Sequence, residues 1–272
     1  MPCLARAVSL CCVILWSAAC SEPPPTGDPI LPHDTFVLDS AVLGEQRRIN
    51  VYLPPGYQDA SDSFPVLYMP DGGVAEDFPH ITNTIDALIE EGAIAPCLVV
   101  GIENTQRRRD LTGPTEVAKD REVAPVVGGS AAFRDFLRDE LIPQIERRYH
   151  CRPQRAIVGE SLAGLFVIET FLLAPGLFER SIAMSPSLWW NGHELVRRAA
   201  TLLGDGAGRR VLWFTTANET DIAPYCDQFA EVLRAQAPRE LQWTYAPRQD
   251  LEHHTIFRGT KEAAFRAALW RP

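Results

Sequence analysis

Two patterns of apolar residues alternate along the chain. Short apolar runs bounded by turn residues read as strands: TFVLDS (35–40), RRINVYLP (47–54), FPVLYMPDGG (64–73), PCLVVGIEN (96–104), RAIVG (155–159), RSIAMSP (180–186), RVLWFTTAN (210–218) and LQWTYAP (241–247). Segments with helical spacing lie between them. ITNTIDALIEEG (81–92) is a helix stopped by Gly92, and SAAFRDFLRDELIPQIERRYH (130–150) is a long helix capped at Ser130 and bent at Pro143. LAGLFVIETFLL (162–173) is a third, and a closing helix runs from about Thr260 to Trp270. The first two strands pair through a turn around Gly44. The later ones, interleaved with amphipathic helices, predict an α/β fold with a mostly parallel central sheet covered by helices on both faces. No second linker or repeat interrupts residues 34–272, which read as one domain, and ligands in such sheets sit beyond the carboxyl ends of the strands.

The first nineteen residues stand apart. MPCLARAVSLCCVILWSAA has one cation, Arg6, then an apolar stretch and small residues, the pattern of a secretory signal peptide. Ser17-Ala18-Ala19-Cys20 resembles a bacterial lipobox, with Cys20 the lipidated residue; ordinary cleavage after Ala19 is the alternative. Residues 20–33 then form a Pro-stiffened tether, and a lipid on Cys20 is the one membrane attachment expected of an exported protein, periplasmic or secreted if it goes unlipidated. A net charge of -9 argues against a nucleic-acid partner, and the run Arg107-Arg108-Arg109 reads first as a solvated loop. Of seven cysteines, Cys97, Cys151 and Cys226 lie in the domain. They lack metal-ligand spacing and read as small buried hydrophobes, with room for one bridge. Neither do His33, His80, His150 and His193 stand at metal spacing. GDGAG (204–208) precedes a strand and is no dinucleotide loop, so neither metal nor cofactor is expected.

Candidate chemistry centres on Gly159-Glu160-Ser161-Leu162-Ala163-Gly164. A hydrolase nucleophile elbow reads G-x-S-x-G; here the second glycine comes one residue late. The turn brings strand and helix backbones close together, so small residues are required. Ala163 falls in the first helical turn, where φ is negative and small size suffices. An N-cap serine is the ordinary alternative, and the rest of the chain decides against it. Glu219 and Asp221 follow RVLWFTTAN, while His253 and His254 sit in a loop after LQWTYAP, giving the order nucleophile, acid, histidine behind successive strands.

With those residues in view, the chain resembles the putative-esterase family of α/β-hydrolases, especially its siderophore trilactone esterases. S-formylglutathione hydrolases and mycolyltransferases are more distant relatives. VYLPPGY, FPVLYMPDGG, GIENTQRRRDLTGPT, GESLAGLFVIETFL, LFERSIAMSPSLWWN and EHHTI carry the resemblance, in family order. It implies an α/β-hydrolase fold and a serine esterase acting on a small or siderophore-like ester through an acyl-enzyme on Ser161. The family's H-x-S/T pattern selects His253, with His254 as alternate; Glu219 takes the acid's place, with Asp221 as alternate. Leu162 and the glycine loop at Gly72 or Gly73 would supply oxyanion donors. Arg107 and Arg109 either grip an anionic substrate group or pair with Asp110 and Glu103. Of Trp189 and Trp190, one would line the pocket and the other join the core, and residues 103–129 form a long specificity loop. An acyltransferase using the same acyl-enzyme, and a non-catalytic surface binding lipoprotein on this scaffold, are the alternatives. Oligomeric state is not legible.

Overall fold

All eight expected strands join a single sheet in the structure, a computed structural model that describes residues 27–59, 62–122, 125–204 and 208–272. The expected signal peptide, Cys20, the first half of the tether and the centre of GDGAG lie outside the described residues. The strands are β1 (His33–Ser40), β2 (Glu45–Tyr52), β3 (Phe64–Pro70), β4 (Leu98–Ile102), β5 (Cys151–Glu160), β6 (Arg180–Met184), β7 (Arg210–Thr215) and β8 (Leu241–Tyr245). Their order is β1-β2-β4-β3-β5-β6-β7-β8. The hairpin β1–β2 is antiparallel and meets β4 antiparallel, and every later pairing is parallel.

The helices are α1 (Phe78–Glu90), α2 (Arg107–Asp110), α3 (Ser130–Phe136), α4 (Ile142–Arg148), α5 (Leu162–Leu173), α6 (Trp190–Leu202), α7 (Ala223–Gln236) and α8 (His253–Ala268). Strand side chains alternate between two apolar clusters. Val66, Tyr68, Val100, Ile157 and Phe214 point toward α3 to α7. Leu67, Met69, Val99, Val158 and Ile182 point toward α1 and α8. Both faces of the sheet are therefore covered. Helix α5 is buried along nearly its whole length, which accounts for its lack of a polar face.

Three local expectations are corrected. The closing helix begins at His253, seven residues before Thr260. Glu252 and Thr255 form a reciprocal cap, each side chain bonding the other's backbone N–H, with the acid first and the hydroxyl third, the reverse of the usual order. The long helix of residues 130–150 is two helices joined by a π-helical turn at Leu137–Leu141. Pro143 cannot donate to the ladder, and the chain widens one turn earlier to absorb the missing bond. Ser130 is no cap: Gly129 takes that place, and the Ser130 hydroxyl is buried without a partner. The stretch 103–129 also holds the short helix α2 and a 3₁₀ turn at Ala118–Glu122.

The three domain cysteines are free thiols, Cys97 and Cys226 fully buried. Burial pushes the Cys97 thiol up to about 12, so it stays protonated and inert.

A Cβ on Gly159 would lie 2.7 Å from both the carbonyl carbon and the Cβ of Ala163. Because backbone is struck, Gly159→Ala is expected to destabilise the fold by about 1–3 kcal/mol. Urea unfolding measures this; an unchanged midpoint would show that strand and helix can separate freely.

Candidate active site

Ser161 occupies the single residue between β5 and α5, with φ 58° and ψ -117°. A non-glycine residue holds such a conformation only where its surroundings over-determine it. They do so here: the Ser161 N–H donates to the Met184 carbonyl at 2.9 Å, and its carbonyl accepts from Ser187 at 3.1 Å and Leu165 at 2.9 Å. Behind the serine, Gly164 packs so closely that a Cβ there would stand 3.0 Å from the Met184 carbonyl oxygen and the Pro186 Cα. The late glycine of the motif thus serves the β6 side of the elbow, while Gly159 serves the α5 side. The hydroxyl Oγ lies 3.4 Å from the Oγ of Ser187.

The acid and the histidine approach from the next strand ends. Glu219 follows β7, and its Oε1 accepts a hydrogen bond from the Nδ1 of His253, the first residue of α8. Its Oε2 accepts from the Ser185 hydroxyl at 2.6 Å and the Ala217 N–H at 3.2 Å. Burial pushes the Glu219 carboxyl up, but the bonds from His253, Ser185 and Ala217 outweigh it and leave the group below its usual range. The hydrogen bond to Glu219 raises His253 above its ordinary value against partial burial; Glu219, Glu160 and Asp221 add to the rise by charge. Since a carboxylate only accepts, Nδ1 carries the proton and the neutral ring keeps its lone pair on Nε2. Ser161, Ser187, Trp189, Glu219, Asp221 and His253 line one hollow of about 660 Å³.

The structure separates the alternates. His254 is largely exposed and stands 3.5 Å from Glu252, and Asp221 lies on the rim, apart from the ring nitrogens of His253. Trp189 lines the hollow, whereas Trp190 is buried and donates from its indole nitrogen to the Gly113 carbonyl at 2.8 Å. Leu162 opens α5, where the first amides have no partner within the helix.

The glycine loop departs from expectation. The Gly72 amide donates to the Ile102 carbonyl at 3.0 Å and the Gly73 amide to Glu76 Oε2 at 2.7 Å, so both are committed elsewhere. Gly72 is required because a Cβ would stand 2.3 Å from Gly101 Cα.

The arginine run is not a solvated loop. Arg107 holds both oxygens of Asp71, through Nε and Nη2 at 2.7 Å each, and Arg109 binds Glu45 and Asp110. Glu103 pairs with Arg48 instead.

Four contributors escaped the sequence reading: Ser185, Ser187, Asp71 and Glu160. The SPS at the end of β6 was a readable signal for the first two, since small polar residues at a strand's carboxyl end face the site. Nothing local marked Asp71, which stands at a φ of 57° and whose buried carboxylate finds its partner 36 residues away.

If Glu219 is the principal cause of the raised His253 value, Glu219→Gln should lower it toward or below the ordinary imidazole value. Titration of the His253 ring protons by NMR reads this directly. No downward movement would place the cause elsewhere.

Comparison with known proteins agrees with this architecture. Ferri-bacillibactin esterase BesA of Bacillus subtilis is 32% identical over 164 residues, 54% of this chain and 56% of that protein. The siderophore triacetylfusarinine C esterase of Aspergillus fumigatus is 29% identical over 61% of this chain and 60% of its own length. The chain thus spans little more than half the length of these curated relatives. An IroE-like serine hydrolase from Shewanella oneidensis superposes with a TM-score of 0.78 at 25% identity, covering 87% of this chain and 79% of that one. The sequence pattern described as "Putative esterase" matches residues 40–271, nearly the whole sheet and its helices, and the chain therefore belongs to the putative esterase family.

Proposed function

We propose that the protein is a serine carboxylic-ester hydrolase in which Ser161 is the nucleophile, His253 the base and Glu219 the group that orients and charges it. The observation that carries this reading is the Glu219–His253 pair, which opens onto the same hollow as a serine held at positive φ. The neutral His253 Nε2 takes the Ser161 proton as Oγ attacks the ester carbonyl, and returns it to the departing alcohol. Water then repeats the sequence and frees the acid. Helix α5 aims the Leu162 amide at the developing oxyanion, and a donor in such a position is worth about 3 kcal/mol to the barrier. Its relatives' activities support a siderophore-like ester as the substrate class. The leader supports export, with Cys20 as a lipid anchor.

Fluorophosphonate labelling should modify Ser161 alone, as read by peptide mass spectrometry. Ser161→Ala should lose labelling and lower ester turnover by about a thousandfold or more, and His253→Ala should slow both steeply. Well-folded protein that takes no label would overturn the reading. Loss of labelling in His254→Ala but not in His253→Ala would move the base by one residue.

The pH dependence has a definite sign. Only neutral His253 acts as base, and its value is raised, so turnover should climb with pH through a midpoint above the ordinary imidazole value of 6.5. A kcat/KM profile with its acid limb below 6.5 would contradict the geometry.

A further inference from the structure

The hollow at Ser161 carries more negative charge than the proposed reaction uses. Three carboxylates line it, Glu219, Asp221 and Glu252, against two histidines. Glu219 is committed to His253 and Glu252 stands beside His254, which leaves Asp221 exposed at the rim. Behind the lining, Glu160, the residue before the serine, has its Oε1 buried without a hydrogen-bond partner. Asp77 and Asp71 face it as like charges, His253 and Arg107 as opposite ones. Burial, then Asp77 and Asp71, hold its carboxyl up to about 7.

Cations near the serine are already engaged. Arg107, whose Nη2 reaches the Glu160 carbonyl at 3.4 Å, is locked on Asp71. Arg109 is bound between Glu45 and Asp110. On α8, Lys261 donates to the His80 carbonyl at 2.7 Å, and His80 in turn meets Asp77 at 3.0 Å. Lys261 thus reaches the acidic group only through an intervening ring. The surplus is felt at the imidazole, where Glu160 and Asp221 both favour the charged form of His253.

We infer that the site selects esters by charge, accepting neutral or cationic acyl chains and turning away those that carry an added anion, with Glu160 and Asp221 setting the bias. This inference rests on the esterase reading of the same site.

The test uses three p-nitrophenyl esters of matched chain length with the full-length protein: the pentanoate, the monoester of glutaric acid, and the trimethylammonio-butanoate. At low ionic strength and a pH of about 8, kcat/KM for the anionic ester should fall about tenfold or more below the neutral one, and the gap should narrow in about 0.5 M salt. The neutral-to-anionic ratio should grow between a pH of about 6 and about 8 as Glu160 ionises. The titration of His253 is common to both substrates and cancels in the ratio. Glu160→Gln should flatten that growth, and Asp221→Asn should lower the ratio at every pH. A ratio near one, a preference for the anion, or a ratio indifferent to both substitutions overturns the inference. If that occurs while neutral-ester turnover is lost in Ser161→Ala, the esterase reading stands alone. If no ester is turned over, both fall.

Discussion

The close approach of β5 and α5 is the constraint on which the site depends. Gly159 and Ala163 let the two backbones touch, and the one residue between them is forced to positive φ. Such a conformation costs of order 1–3 kcal/mol, which the surrounding packing must offset. The offset is visible: α5 has no polar face and is sunk into the core, and both peptide groups of the serine are tied to the end of β6. The strain lifts Ser161 off the sheet and presents its hydroxyl, so the position of the proposed nucleophile follows from the packing of the helix behind it.

The acid–histidine pair rests on a different principle. Glu219 would be costly to bury alone, and each of its oxygens is instead occupied by donors from β6, from its own turn or from α8. Two strand ends and one helix end meet at a single carboxylate. The arginines beside the site obey the same rule, because every buried guanidinium there answers a buried carboxylate. Around the site the arginines are held in closed pairs, and the open hollow receives the charge left over.

Much of this was legible in the chain. Strand periodicity, the small residues of the elbow and the order serine, acid, histidine depend on near neighbours, and sequence displays near neighbours well. The choice of Trp189 over Trp190 for the hollow was not legible because two adjacent residues differ only in which way a turn rotates them; Glu219 was preferred to Asp221 by resemblance alone, since both follow the same strand. The start of α8 was missed because its cap runs acid first, Glu252 to Thr255, against the familiar order. The engagement of the Gly72 and Gly73 amides was not legible, because their acceptors, the Ile102 carbonyl and Glu76, are set by how the loop closes. Gly101, 29 residues on, is what demands a thin residue at Gly72.

That reversed cap has a consequence for how the molecule fails. His253 is the first residue of its helix, held on one side by Glu219 and on the other by a single turn closed through Glu252 and Thr255. Helix ends open more readily than helix centres, well before the fold as a whole gives way. If His253 is the base, as proposed, activity ends with the fraying of one turn while the secondary structure as a whole stays intact.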